Sequence, residues 1–237
     1  MFSTSEQYYD ELYSVMGKNY AQETNKVHKL IQKHKRTGGN TLLDIACGTG
    51  THAGLLSEFY KVEGLDLDKK MLAIAHKKYP KIILHQGDMV NFDLQKQYDA
   101  IVCLFSSIGY VKTTSKLRKA IQTMSRHVLP SGVLLIEPWF SEEQWKVGRA
   151  SMLQVNKPEL KLVRISHTGK KGKISLLEFQ YLVGTPKGIK HSTEVHEMGL
   201  FTNEEYMDAF LSAGLKTYHD KKGLDGRGLY IGRKSTK

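Results

Sequence analysis

The stretch Thr41–His52, TLLDIACGTGTH, decides the fold. Leu42–Ala46 is an apolar run carrying one acid, Asp44, and it reads as a buried parallel strand. The run breaks into Cys47-Gly48-Thr49-Gly50, where the first glycine lets the chain turn sharply and the second lets backbone approach a ligand. Ala53–Phe59 then reads as a helix. A strand, a glycine turn and a helix in that order set a helix N-terminus at the carboxyl edge of a sheet, where nucleotide-like ligands bind. The spacing D-x-x-x-G-x-G is neither the dinucleotide fingerprint nor the phosphate loop.

Downstream the same rhythm repeats. A short strand from Lys61 ends in Asp66, 22 positions after Asp44, where a carboxylate is placed to accept from two ribose hydroxyls. Asp68 suits the N-cap of a helix over 69–79, which Pro80 ends. A third strand, Lys81–Gln86, runs into Gly87-Asp88-Met89, an acid for an adenine amine and an apolar residue for its ring face. A central strand over Tyr98–Phe105 opens into the small polar loop Ser106–Tyr110. Helix 115–129, with Thr114 as its cap, stops at Pro130-Ser131-Gly132, and strand Gly132–Glu137 delivers Pro138, Trp139 and Phe140 to the same edge. This alternation predicts an α/β fold with a doubly wound, mostly parallel sheet.

At Leu160 the rhythm changes. Leu160–His167, Ile174–Val183 and Ile189–Leu200 are strand-like runs joined by turns over 168–173 and 184–188, an antiparallel insertion (about 141–200) covering the active edge. The frame resumes with helix 203–213, whose Thr202 and Glu205 fit a capping box, and closes with strands 215–218 and 228–233. Residues 1–36 read as a helical cap over the glycine turn. The whole reads as one domain.

With 237 residues, 40% hydrophobic and 25% charged, the composition is that of a soluble, cytoplasmic protein. No apolar run approaches the roughly 20 residues of a membrane span, and the acidic start MFSTSEQYYDELY is no signal peptide. Cys47 and Cys103 read as reduced core thiols without metal spacing, and no His pair has ligand spacing, so no metal is expected. The net charge of +11 raises a nucleic-acid partner, but the lysines are scattered and no RNA-module signature accompanies them. A phosphate-bearing small substrate suits the charge as well.

Asp44, Gly48, Gly50, Asp66, Gly87-Asp88-Met89 and Leu104, in that order, resemble the class I methyltransferases that use S-adenosylmethionine (SAM). That resemblance implies a seven-stranded sheet with its last strand antiparallel. LLDIACGTGTH, LHQGDM, FSSIGY, EPW, RISH and GRGL, with Tyr9 and Gly17-Lys18-Asn19-Tyr20, resemble more narrowly the dTDP-3-amino-hexose N,N-dimethyltransferases of the desosamine and mycaminose type. The resemblance implies a SAM site of Tyr9, Ala46, Gly48, Asp66, Asp88, Met89 and Leu104. It implies a sugar-nucleotide site of Tyr20, Trp139, Arg164, Ser166, His167 and Arg227, with Tyr110 facing the reacting amine. Some relatives carry histidine in place of Tyr110, an acid one methylene longer in place of Asp66, and a longer aromatic run where this chain has Phe140 followed by Ser141.

Methyl transfer to an amine is an in-line displacement that needs the nucleophile and methyl aligned at about 3–3.5 Å. A tyrosine with a pKa near 10 is a poor base, so Tyr110 is expected chiefly to orient the amine. Arg164 and Arg227 suit a pyrophosphate, and Trp139 or Phe140 suits stacking on thymine. Another small-amine acceptor, and an RNA-binding SAM protein, are the alternatives; the sequence leaves monomer or homodimer open.

Overall fold

A computed structural model describes residues 5–236. Strands β1 (Thr41–Ile45), β2 (Lys61–Asp66), β3 (Ile83–Gln86), β4 (Tyr98–Cys103) and β5 (Val128–Ile136) pair in parallel. The long runs of the insertion and its flank form β6 (Ala150–Lys157), β7 (Leu160–Lys171), β8 (Ile174–Thr185) and β9 (Gly188–Gly199). The chain closes with β10 (Leu215–Asp220) and β11 (Leu229–Lys234). The main sheet has the order β10-β11-β5-β4-β1-β2-β3, and β11 runs antiparallel to both its neighbours. This is the class I methyltransferase arrangement that the resemblance implied.

Side-chain alternation divides the core. Leu43, Ile45, Ile101, Leu134 and Ile136 face one side of the sheet, under α5 (Thr114–Arg126) and α6 (Asn203–Ser212). Leu42, Ala100, Val102, Val133 and Leu135 face the other, with α2 (Tyr20–His34) and α3 (Thr51–Leu56). Strands buried on both faces explain the mostly apolar runs of β1 and β4, which carry one acid each, Asp44 and Asp99. Between β2 and β3, α4 (Lys69–Lys78) starts at Asp68, whose carboxylate accepts from Lys70 N at 2.8 Å. The capping box of Thr202 and Glu205 is present at the start of α6.

The insertion is a four-stranded antiparallel sheet, β6-β7-β8-β9. Its first strand, β6, has no counterpart in the sequence reading: only Val155 of its eight residues is buried, so it carries no apolar period. The hairpins are tighter than expected. Lys171 pairs with Ile174 and Thr185 with Gly188, leaving the two-residue turns Gly172-Lys173 and Pro186-Lys187. The inner face of this sheet packs Val155, Leu162, Phe179 and Tyr181 on Leu12 of α1 (Tyr9–Val15). Ser5 adds a polar tie, donating from its N–H and hydroxyl to the Glu194 carboxylate of β9. Within the helical cap expected over 1–36, the described residues form a 3-10 turn (Glu6–Tyr8), α1 and α2; residues 1–4 lie outside them.

Two boundaries move. Thr113, not Thr114, caps α5, accepting from Lys116 N, while the Thr114 hydroxyl donates to Glu205 of α6 at 2.8 Å. α5 ends at Arg126, and β5 starts before Pro130, because Val128 pairs with Tyr98 while Val133 pairs with Ala100. Leu129–Gly132 is the bulge between those pairs, the one place in a central strand where a proline without N–H is tolerated.

The capping box gives a stability test. Replacing Thr202 with Ala removes an N-cap acceptor and is expected to cost about 1 kcal/mol. Urea unfolding reads that loss directly, and Ser at the same position is expected to retain most of the stability.

Candidate active site

The carboxyl ends of β1 to β4 enclose a cavity of about 430 Å³. Its floor is the glycine turn. Ala46 adopts φ 57° and Gly48 φ 56°, and the space around Gly48 where a Cβ would sit is open to 4 Å. Phe105, Ser106 and Lys112 also have positive φ, so four of the six described non-glycine residues in that conformation stand at this edge. Such strain, on the order of 1–3 kcal/mol per residue, persists where surrounding structure over-determines the backbone, typically at ligand sites.

Tyr9, Ala46, Gly48, Asp66, Asp88, Met89 and Tyr110 all line the cavity. Leu104 lines an adjoining recess instead, which also reaches Tyr9, Ala46, Gly48 and Tyr20. The seven cofactor candidates are therefore brought together. Asp66 is held by two backbone donors: Gly48 N to Oδ2 and Asp68 N to Oδ1, each at 2.8 Å. A carboxylate has about four acceptor sites, so acceptor capacity remains for a ligand. Burial pushes the Asp66 carboxyl up, and the backbone N–H groups of Asp68, Gly48 and Leu67 pull it back. Asp44 lies behind it, fully buried. Burial, with the Asp66 charge second, raises its pKa to about 8. With Asp44 protonated at neutral pH, the negative charge at this edge is that of Asp66, which a ligand bringing positive charge complements.

Tyr110 sits on a 3-10 turn, Ser107–Val111, where the sequence suggested only a loop. Its hydroxyl is 2.6 Å from His196 Nδ1 on β9. Burial raises the phenol well above its ordinary range, so it stays protonated at neutral pH and does not serve as a tyrosinate base.

The sugar-nucleotide candidates divide into two groups around Phe105. On one side Glu137, wholly buried at the end of β5, accepts from Phe105 N at 2.6 Å and from Arg227 Nη2 at 3.0 Å. The Arg227 guanidinium, also paired with Asp225, lies 5.8 Å from the Trp139 ring centroid and 5.5 Å from that of Phe140. On the other side the Tyr13 ring meets Phe105 edge-on at 4.7 Å, with the Arg164 guanidinium beside the Tyr13 hydroxyl. Arg164 is stacked 4.3 Å from Phe179 and touches Met16 Sδ at 3.8 Å. Arg164 Nε and Nη1, Arg227 Nε and the Tyr20 hydroxyl are buried without a hydrogen-bond partner in the chain. Buried orphan donors of this kind call for an acceptor from outside the protein.

Ser166 shares the inner face with Arg164, and its hydroxyl is 2.6 Å from that of Ser151. His167 is a correction. By strand alternation it projects from the opposite, outer face, half-exposed and 3.8 Å from Glu178, and it does not join the other candidates. The aromatic run shortened after Phe140 is made good in space by Trp145, 5.6 Å from Trp139 and 5.9 Å from Phe140.

Several site residues escaped the sequence reading. Glu137 was carried only as part of a strand end. Glu194 and His196 were not singled out, although i, i+2 spacing on one strand puts both on one face with Met198. Lys18, inside the quoted Gly17–Tyr20 segment, bonds both oxygens of Glu23 and stands 3.8 Å over the Phe105 ring. Among the described residues no group of three or more His, Cys, Asp or Glu is arranged to hold a metal, and Cys47 and Cys103 are buried and free. Among the described residues no helix is long and apolar enough to cross a membrane.

The fold and the cavity define a class I methyltransferase, and residues 42–132 match the methyltransferase domain family. The dTDP-3-amino-3,6-dideoxy-alpha-D-glucopyranose N,N-dimethyltransferase of Streptomyces fradiae is 39% identical over 226 residues, 94% of this chain and 88% of its own. DesVI of Streptomyces venezuelae superposes with a TM-score of 0.92 at 36% identity, over 99% of this chain and 100% of its own. SAM-bound CalS10, an amino pentose methyltransferase of Micromonospora echinaspora involved in calicheamicin biosynthesis, gives 0.87 at 34%, over 99% and 98%. The chain belongs to the family of the dTDP-amino-sugar N,N-dimethyltransferases.

Asp44 supplies a pH test on the ligand-free protein. It keeps its proton to about pH 8 when folded but releases it near pH 4 when unfolded. Between those values the folded state holds the extra proton, so stability falls as pH rises from about 4 to about 8. Asp44→Asn is expected to flatten that fall, as read by urea midpoints at pH 5 and pH 8.

Proposed function

We propose that this chain methylates the amino group of a dTDP-linked amino-deoxy sugar twice in succession, with SAM as the donor. The observation that carries the reading is the pair of guanidiniums, buried Arg164 and half-buried Arg227, joined to opposite sides of Phe105 through Tyr13 and Glu137 and each keeping buried N–H groups without a partner in the chain. A pyrophosphate answers those donors, and its charge suits a chain of net charge +11.

The cavity fits the cofactor. The Asp66 carboxylate takes the ribose hydroxyls, Asp88 takes the adenine amine and Met89 covers the ring. Gly48, with nothing in the place of a Cβ, lets backbone approach, and Tyr9, Ala46 and Leu104 complete the walls. SAM, when bound, supplies an electrophilic methyl on a sulfonium.

On the acceptor side, Arg164 and Arg227 hold the pyrophosphate, with Tyr20 and Ser166 as further polar contacts. Trp139, its indole N–H fixed to Ser175 Oγ at 2.9 Å, offers a ring face for thymine. Tyr110 accepts a hydrogen bond from the amine and turns its lone pair towards the methyl, a positioning contribution rather than ionisation. The insertion strand β9 closes the cavity with Val195 and Glu197, which limits water. The same reading takes the enzyme to act in the cytoplasm without a nucleic-acid partner. It also takes two copies to pair through the outer face of the insertion, where Met152, Ile165 and Leu182 are exposed.

Thermal protection tests both halves of the site. In excess S-adenosylhomocysteine, dTDP at about 100 times its Kd is expected to add ~2.7 kcal/mol and raise the melting temperature by several degrees. No shift at any dTDP concentration contradicts the nucleotide acceptor and favours a small free amine. Asp66→Ala is expected to bind S-adenosylhomocysteine roughly 10–100-fold more weakly, since two charge-assisted bonds go. Unchanged affinity would remove Asp66 from the ribose.

A further inference from the structure

Behind Tyr110 stand two buried side chains of β9, His196 and Glu194, that the methyl-transfer geometry above does not use. Tyr110 Oη is 2.6 Å from His196 Nδ1, and His196 Nε2 is 3.3 Å from Glu194 Oε2. Glu194 is itself pinned, accepting from Ser5 N at 3.0 Å, Ser5 Oγ at 2.9 Å and Tyr181 Oη at 3.3 Å. Both β9 residues are buried. A phenol, an imidazole and a fixed carboxylate in series repeat the logic of a triad. The carboxylate selects the Nε2–H tautomer and leaves Nδ1 as acceptor.

We propose that His196 and Glu194 complete a proton path that begins at Tyr110 and carries off the proton which the substrate amine must lose before each methylation. The proposal rests on the amino-sugar reading above. An ammonium has no lone pair to attack with. One N–H proton passes to Tyr110 Oη while the phenol's own proton passes to His196 Nδ1, leaving a neutral amine, a neutral phenol and an imidazolium against the Glu194 carboxylate. The freed lone pair then forms the N–C bond, and the electrons of the C–S bond return to sulfur. The proton goes back by the same two hydrogen bonds to water that enters the cavity when the product leaves. After the first transfer the nitrogen is again cationic, so dimethylation needs the path a second time.

The surroundings suit the task. Burial lowers the imidazole from its ordinary value, with the Arg164 charge from β7 acting the same way, while Glu194 raises it. His196 is therefore neutral and ready to accept at pH 7. It faces Tyr110 from the 3-10 turn, Phe179 at 5.0 Å on β8, and Arg164, with Tyr13 of α1 and Tyr181 of β8 around the same charges. Tyr110, kept protonated, can relay a proton only by giving up its own, which is why the next acceptor matters. His196 acts through Tyr110, so it is a positioning and proton-accepting residue.

The test compares wild type, His196→Asn, Tyr110→Phe and the double variant with SAM and a dTDP-amino sugar, from about pH 6 to about pH 9. For His196→Asn we expect KM and S-adenosylhomocysteine affinity close to wild type. Its kcat should be lower by about tenfold or more near neutrality, recover as pH rises, and be accompanied by release of monomethyl product. The double variant should be no slower than the slower single variant, since both break one path. A wild-type pH profile and product ratio for His196→Asn, or effects that add in the double variant, would reduce His196 to packing. If His196→Asn loses S-adenosylhomocysteine binding, Glu194→Gln carries the test: a rate that now climbs with pH supports the path, and a wild-type profile overturns it. A wild type that methylates no dTDP-amino sugar defeats the substrate reading, and the path falls with it. Failure in the variants alone defeats only the path.

Discussion

The Asp66 carboxylate is the joint on which this site depends. It accepts from Gly48 N and Asp68 N, so one acid ties the turn after β1 to the loop after β2. The turn can then hold Ala46 and Gly48 at positive φ, and the floor of the cavity stays open to a ligand. Asp68, two residues on, caps α4 by accepting from Lys70 N and Met71 N. Asp44, buried behind Asp66, is held protonated at neutral pH by its burial first and the Asp66 charge second, so the charge at this edge is that of Asp66, and a cationic cofactor is a natural complement.

Around that joint the acceptor side is assembled from segments far apart in sequence. Glu137 at the end of β5 fixes the Phe105 backbone and the Arg227 guanidinium. Ser5 fixes Glu194 of the insertion, and Tyr110 meets His196 of the same strand. Each is a buried, charge-assisted or short contact between the frame and a covering element. Such contacts add less net stability than their number suggests, but leaving one partner alone is costly. Their effect is to hold the cap, insertion and C-terminal loop in one arrangement over the cavity.

Much of the frame was legible because its signals are local. The buried runs of β1 and β4, the Gly48–Gly50 turn, the Asp68 cap and the Thr202–Glu205 box each declare themselves within a few residues. β6 did not, since an edge strand with one buried residue has no period to read. The start of β5 was hidden because Pro130 sits in a bulge that only pairing with β4 makes acceptable. The cofactor candidates hold together because strand ends converge on one edge by topology. The acceptor side depends on strand parity, which turns Arg164 and Ser166 inward and His167 outward. It also depends on long-range pairs such as Tyr110 with His196 and Glu137 with Arg227, which no spacing announces.

The central claim is that a nucleotide-linked amine stands across from the methyl. Mass spectrometry of the protein incubated with SAM and a panel of dTDP-3- and dTDP-4-amino sugars tests it most directly. The account predicts one sugar that gains first one and then a second methyl. Unmodified sugars throughout, with glycine or another free amine methylated instead, would contradict it.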